Sequence, residues 1–344
     1  MSIGNDVRDC KSPDIARRAH LLAGFRFLDH TLRGCGQVIF MNSPVTGLLN
    51  LAAMFWGAYA GGATPAVAIG SLVGALVSTA TAYPLHAERG ALRSGLMGFN
   101  GMLLGAGIPT FLANTPVMWV VLILAAAMVT VVTLAADAAL RRVKVPGLTF
   151  PYVFATWTVL LAAYKFPTLG IASLPPPALP SQVDALGTVP GLQEFVHASL
   201  ASVSQVYFVD NPVSGAIFLV ALVVHSRWCA GLAAFGAMAA VACALAVGAD
   251  PVAVRHGLWG YSAVLTAPAV GCIFMRPTPR TFAYCAAATL SAVFVQAALA
   301  TLTQAVGIPP LTFPFVLTTW LFLLARRDSR DASASASSAG KPSQ

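Results

Sequence analysis

Charged positions divide this chain into long apolar runs. Residues 34–87, 94–136 and 281–325 contain no Asp, Glu, Lys or Arg, and shorter uncharged runs occupy 145–164, 211–226, 228–249 and 256–275. A bilayer core takes about 20 apolar residues per helix, so the three long runs alone require about five helices. Punctuation by Pro, Gly and charge places full spans near 21–41, 45–61, 65–84, 112–136 and 148–164, with a shorter Gly-flanked segment near 91–107. The plan then recurs, with spans near 190–209, 213–226, 228–248, 280–305 and 311–325 and a short segment at 253–271. The strict polar and apolar alternation of an outer-membrane barrel is missing from these runs.

The recurrence is written in the residues themselves. FLDHTLRGCGQVIFMNSPVTG, from Phe27 to Gly47, aligns without a gap on FVHASLASVSQVYFVDNPVSG, from Phe195 to Gly215. LRSGLMGFNGML (Leu92 to Leu103) aligns on VRHGLWGYSAVL (Val254 to Leu265), and VPGLTFPYVFATWTVLL (Val145 to Leu161) on IPPLTFPFVLTTWLFLL (Ile308 to Leu324). Three blocks in one order and nearly one spacing mark a duplication. Five crossings per unit is an odd number, so the second unit enters from the opposite side, as in inverted-topology repeats with broken helices. The expected fold is an all-α polytopic membrane protein of two such repeats, each of five transmembrane helices plus one short pore helix, with the pore at the repeat interface. The boundaries expected are an N-terminal segment 1–20, repeats 21–164 and 191–326, a Pro-rich external linker 165–190 and a disordered tail 327–344.

Composition sharpens this. The chain has 344 residues, of which 20 are basic and 12 acidic, with 57% hydrophobic residues and a mean hydropathy of +0.76. Ordinary soluble domains carry about a quarter charged residues, so a soluble globule is excluded. With a cytoplasmic N-terminus, ten crossings place sixteen of the 20 basic residues inside and Arg89, Arg93, Lys165 and Arg227 outside. The positive balance then sets orientation in a plasma membrane rather than nucleic-acid binding. The basic N-terminus (Arg8, Lys11, Arg17, Arg18) lacks the apolar core and cleavage site of a signal peptide. The six cysteines contain no C-x-x-C pair and read as small buried hydrophobes.

Candidate chemistry is sparse. Zinc-ligand spacing, a Ser-His-Asp arrangement and a phosphate loop are all lacking, so neither an enzyme nor a bound cofactor is expected. Asp29 lies within helical reach of Arg26 and Arg33, and Asn42 with Asp210 reads as a polar helix-break cap. The repeat preserves neutral groups instead. Gln37 and Gln205 precede Val38 and Val206 and stand three residues before Phe40 and Phe208. Phe99 and Tyr261 follow Gly98 and Gly260, with Leu103 and Leu265 one helical turn on, and Thr149 and Thr312 open the LTFP elements. Amides, hydroxyls and ring faces suit a small, neutral, flat, polar solute.

QVIFMNSPVTG, GLMGFNGMLLG and LTFPYVFATW, with their second copies QVYFVDNPVSG, GLWGYSAVLT and LTFPFVLTTW, resemble the signature blocks of the urea transporters over residues 20–326. The resemblance implies a homotrimer in the membrane lipid of the bacterial inner membrane, passing urea down its gradient through one pore per protomer, without ion coupling. It implies two urea sites, at Gln37, Val38 and Phe40 and at Gln205, Val206 and Phe208. Phe99 with Leu103 and Tyr261 with Leu265 would form the slot walls, and Thr149 and Thr312 the central constriction. Tyr261 departs from the expected Phe, so its hydroxyl would narrow or polarise one slot. Other small amides, ammonia and an ion-coupled carrier are the competing transport readings. A scaffold or receptor without solute flux is the reading from another class.

Overall fold

The computed structural model describes residues 13–61, 65–180 and 191–339, with side chains over 22–61, 65–180 and 191–326. Residues 1–12 of the expected N-terminal segment 1–20, 181–190 of the linker 165–190 and 340–344 of the tail 327–344 lie outside the described residues. The first part builds α1 (Pro13–Gln37), α2 (Pro44–Ala60), α3 (Ala66–Ala82), α4 (Arg89–Arg93), α5 (Phe99–Phe111), α6 (Pro116–Leu140) and α7 (Phe150–Ala163). The second builds α8 (Leu192–Ser204), α9 (Pro212–His225), α10 (Arg227–Ala246), α11 (Pro251–Arg255), α12 (Tyr261–Pro268), α13 (Pro279–Gln304) and α14 (Phe313–Ala339). Three of these, α6, α10 and α13, are each long and apolar enough to cross a membrane, and the bent pair of α8, extended to Tyr207, with α9 qualifies as a unit. The backbone of α14 continues through residues 327–339, which the sequence assigned to the tail.

Local chemistry starts these helices in the same way in both parts. Ser43 and Asn211 cap α2 and α9 through bonds from the Thr46 and Ser214 N–H groups, each just before a Pro at the first helical position. Thr115 and Thr278 do the same for α6 and α13. Such caps satisfy backbone donors that a helix start leaves bare, and Pro there loses no bond. The cap is therefore one residue later than the expected Asn42 and Asp210. Asn42 Oδ1 instead accepts from Arg33 at 2.9 Å, while Arg33 also pairs with Asp29 at 2.8 Å, and Asp210 pairs with the His256 ring.

The breaks lie where the sequence ends one span and starts the next, between α1 and α2 and between α8 and α9, the latter pair bent by 73°. Each break turns on a bulky residue in the left-handed region, Phe40 (φ 65°) or Phe208 (φ 58°), a conformation costing an ordinary residue about 1–2 kcal/mol. The segment α5 packs antiparallel along α3 at backbone contact: a Cβ on Gly74 would come within 2.1 Å of the Gly101 carbonyl, and one on Gly105 within 2.0 Å of that of Gly70. Small residues spaced by four let two apolar helices approach this closely.

Contacts between the parts are reciprocal. Thr46 donates to the Ala221 carbonyl at 3.1 Å, and its aligned residue Ser214 donates to that of Ala53 at 2.8 Å. The Trp157 indole donates to the Pro309 carbonyl and the Trp320 indole to that of Pro146, both at 2.8 Å. Left-handed backbone recurs at aligned positions too: Phe40 and Phe208, His86 and Gly248, Gly95 and Gly257, Lys144 and Gly307, Leu148 and Leu311. Aligned residues of the two parts thus exchange roles across these contacts. Phe27 and His30 of α1 lie against Tyr83 at the end of α3. Arg89 and Arg93 therefore sit at the end of the molecule where α1 begins, not opposite it.

Candidate functional site

A cavity of about 260 Å³ gathers five of the six first-repeat candidates, Gln37, Val38, Phe40, Phe99 and Thr149. Phe274 and Phe315, from the second part, complete its wall. Leu103, the sixth candidate, is fully buried and does not line it. The second-repeat residues Gln205, Val206, Phe208, Tyr261, Leu265 and Thr312 lie outside this cavity. Thr312 is the junction, since its hydroxyl meets that of Thr149 at 2.6 Å.

The two glutamines are held alike. Gln37 Nε2 donates to the Ser94 carbonyl at 2.8 Å, and Gln205 Nε2 to the His256 carbonyl at 2.9 Å. Ser94 and His256 are aligned residues that end α4 and α11. A backbone carbonyl only accepts, so it fixes the amide orientation and leaves Oε1 as the acceptor turned to other partners. The short helices thus serve as anchors for the glutamines.

Two aromatic boxes stand beside them. Phe40 packs edge-on against Phe274 and Phe315, at centroid distances of 6.2 and 6.1 Å, while Phe208 packs edge-on against Phe111 and Tyr152, at 5.7 and 6.5 Å. Phe315 aligns with Tyr152, and each box takes both of its partner rings from the other half. Phe111 matches Phe274 after one inserted residue, and a single π-helical stretch, Ala269–Ile273, absorbs that insertion.

The hydroxyl of Tyr261 does not face the slot. It donates to the Leu311 carbonyl at 2.9 Å and accepts from Gln296 Nε2 at 2.6 Å. In the first half Asn100 occupies the same network, reaching Thr133 and the Leu148 carbonyl at 3.4 Å each. Ser262, which aligns with Asn100, is too short to reach that carbonyl, and the neighbouring phenol serves it instead. The expected narrowing or polarising by this hydroxyl is replaced by an internal bond. Asn100, Thr133 and Asp137 also line the cavity and were missed as site residues. Asp137 is the charged residue on this wall and aligns with Ala300, so the repeat gave no signal for it.

The family described as Urea transporter matches residues 28–327. The chain is 30% identical over 302 residues to Urea transporter 1 of Ovis aries, and 31% identical over 308 residues to Urea transporter 1 of Rattus norvegicus and of Mus musculus. Each of these alignments covers 87% of this chain and 77% of the relative.

Proposed function

The chain belongs to the urea transporter family, and from this premise we propose that it conducts urea passively along the line from Gln37 through the Thr149–Thr312 pair to Gln205. It is a multi-pass membrane transporter of urea and not an enzyme. The observation that carries the pathway is the meeting of the two aligned threonines at 2.6 Å, between two aligned glutamine sites.

The mechanism follows from the donors and acceptors. Urea offers four N–H donors and one carbonyl acceptor, and an unmade bond of this kind costs several kcal/mol in an apolar medium. Gln37 Oε1 and Gln205 Oε1 accept N–H bonds at the two sites, because their amino groups are tied to backbone. Phe40, Phe99 and Phe315 in one arm, and Phe208, Tyr261 and Tyr152 in the other, hold the flat face of the solute. The paired threonines use one hydroxyl proton between them and keep a second donor and free lone pairs for a passing solute. Ions are refused beyond Asp137, since a bare charge between the rings and the paired threonines pays an order of tens of kcal/mol in lost solvation.

The reciprocal contacts support reading the two parts as inverted repeats of five crossings, with α1–α2 and α8–α9 each counting once. In this arrangement both termini lie on one side. Lys165 and Arg255 are then the described basic residues at the other end, and the positive-inside rule makes the terminal side cytoplasmic. Repeat boundaries at 21–164 and 191–326, a homotrimer with one path per protomer and a bacterial inner membrane complete the proposal, and the last two rest on family likeness alone.

Stopped-flow light scattering of proteoliposomes under an inward urea gradient tests the reading. Urea permeability well above that of empty vesicles, unchanged by an imposed potential or an uncoupler, is expected. Permeability equal to empty vesicles would overturn it.

A further inference from the structure

Several buried side-chain polar atoms of the described residues make no hydrogen bond, and one of them belongs to Tyr152, beside Phe208. Tyr152 is fully buried, and its hydroxyl makes no hydrogen bond. Its ring stands edge-on to Phe208, and its backbone N–H donates to Asn100 at 3.3 Å. The hydroxyl of Thr156, one helical turn on, is likewise buried and partnerless. Gly107 ties the two together in space, since a Cβ there would lie 3.4 Å from the Phe208 ring and 3.6 Å from the Thr156 methyl.

Buried hydroxyls nearly always find partners, so two on one helix face beside a pore aromatic require a reason. For Tyr152 packing does not supply one, because the aligned Phe315 fills the same place in the other arm without an oxygen, whereas Thr156 has an equally buried and unbonded counterpart in Thr319. The phenol of Tyr261, in the same arm, shows how such a group is satisfied when it serves the fold.

We propose that the Tyr152 hydroxyl, followed by that of Thr156, is a specificity-determining contact of the second arm, bonding a small planar amide as it passes Phe208. This rests on the urea pathway reading. Urea carries an amino group on both edges, so whichever edge turns to Tyr152 brings an N–H for the phenol oxygen to accept. Acetamide carries one on a single edge and loses the contact in half its orientations. The two arms are then chemically unequal, with the Phe315 arm the less discriminating.

The experiment compares wild type with Tyr152→Phe in proteoliposomes, reading urea permeability, the urea-to-acetamide permeability ratio and thermal unfolding. Loss of one hydrogen bond to the solute predicts a fall in urea permeability of about three- to tenfold. The ratio should fall about twofold or more, with the unfolding temperature unchanged or raised. A conducting wild type whose variant keeps both permeability and ratio within twofold would overturn the proposal and leave the pathway standing. A wild type that conducts no urea would overturn the pathway reading instead. If Tyr152→Phe does not fold, Thr156→Val carries the same ratio test, and an unchanged ratio there overturns the proposal.

Discussion

Replacing one of the two central threonines should harm stability and conduction together, whereas replacing both should separate them. The side chains of Thr149 and Thr312 are 3% exposed each, and their hydroxyls are 2.6 Å apart. Thr149→Val keeps the volume but strands the Thr312 oxygen in an apolar surround, which costs about 1–3 kcal/mol. Exchanging both partners for apolar groups of the same shape is close to neutral, so the double valine variant should regain most of that loss. Conduction responds differently, because each hydroxyl also serves the solute. Forfeiting one net bond of about 0.5–1.5 kcal/mol raises the barrier enough to slow urea about two- to tenfold per threonine. Thermal unfolding in detergent and stopped-flow urea flux, measured on wild type, both singles and the double, form two parallel cycles. Stability is expected to recover in the double while flux falls further. A double variant whose flux returns with its stability would refute the pathway role. Stability losses that simply add would refute the pairing.

Three further variants probe other parts of the site. Gln37→Glu removes the donor that ties this side chain to the Ser94 carbonyl at 2.8 Å; urea permeability should fall by about tenfold or more, and an unchanged value would show the anchor to be dispensable. Tyr261→Phe leaves the Leu311 carbonyl and the Gln296 amide short of a partner, so it should lower stability by about 1–3 kcal/mol with the urea-to-acetamide ratio intact. That is the opposite signature to Tyr152→Phe, and a ratio shift in Tyr261→Phe would count against the assigned roles. Gly105→Ala forces a methyl to within 2.0 Å of the Gly70 carbonyl; the α3–α5 pair must spread, at about 1–3 kcal/mol in thermal unfolding, and a neutral result would contradict the close packing.

The sequence exposes much of this because duplication writes each functional group twice. Gln37 with Gln205, Phe40 with Phe208 and Thr149 with Thr312 are legible as aligned pairs; the first member of each lines one cavity, and Thr312 meets Thr149 at its edge. What alignment could not show is where a side chain spends its hydrogen bonds. The glutamine amides end on Ser94 and His256 carbonyls, and a backbone acceptor leaves no mark in the residue type. Tyr261 looked like a pore residue because it aligns with Phe99, yet its oxygen replaces the work of Asn100. Asp137 and Tyr152 were passed over for the converse reason, as their aligned residues are Ala300 and Phe315. The break after Gln37 was legible from Asn42, Ser43 and Pro44, but the left-handed backbone of Phe40 on which it turns was not, because no propensity favours it.

The borrowed rings have a consequence for how such a molecule can arise and be divided. Phe40 of one repeat needs Phe315 of the other, and Phe208 needs Tyr152. A gene encoding a single repeat would build no complete box, however well its helices folded. Two separate copies would form both boxes only if they were inserted in the membrane in opposite orientations. Under the inverted-repeat reading proposed above, the ancestor is a dual-topology dimer, and fusion through the Pro-rich linker would have fixed which copy faces which way. Coexpressed halves of the present protein should then restore flux together where neither conducts alone.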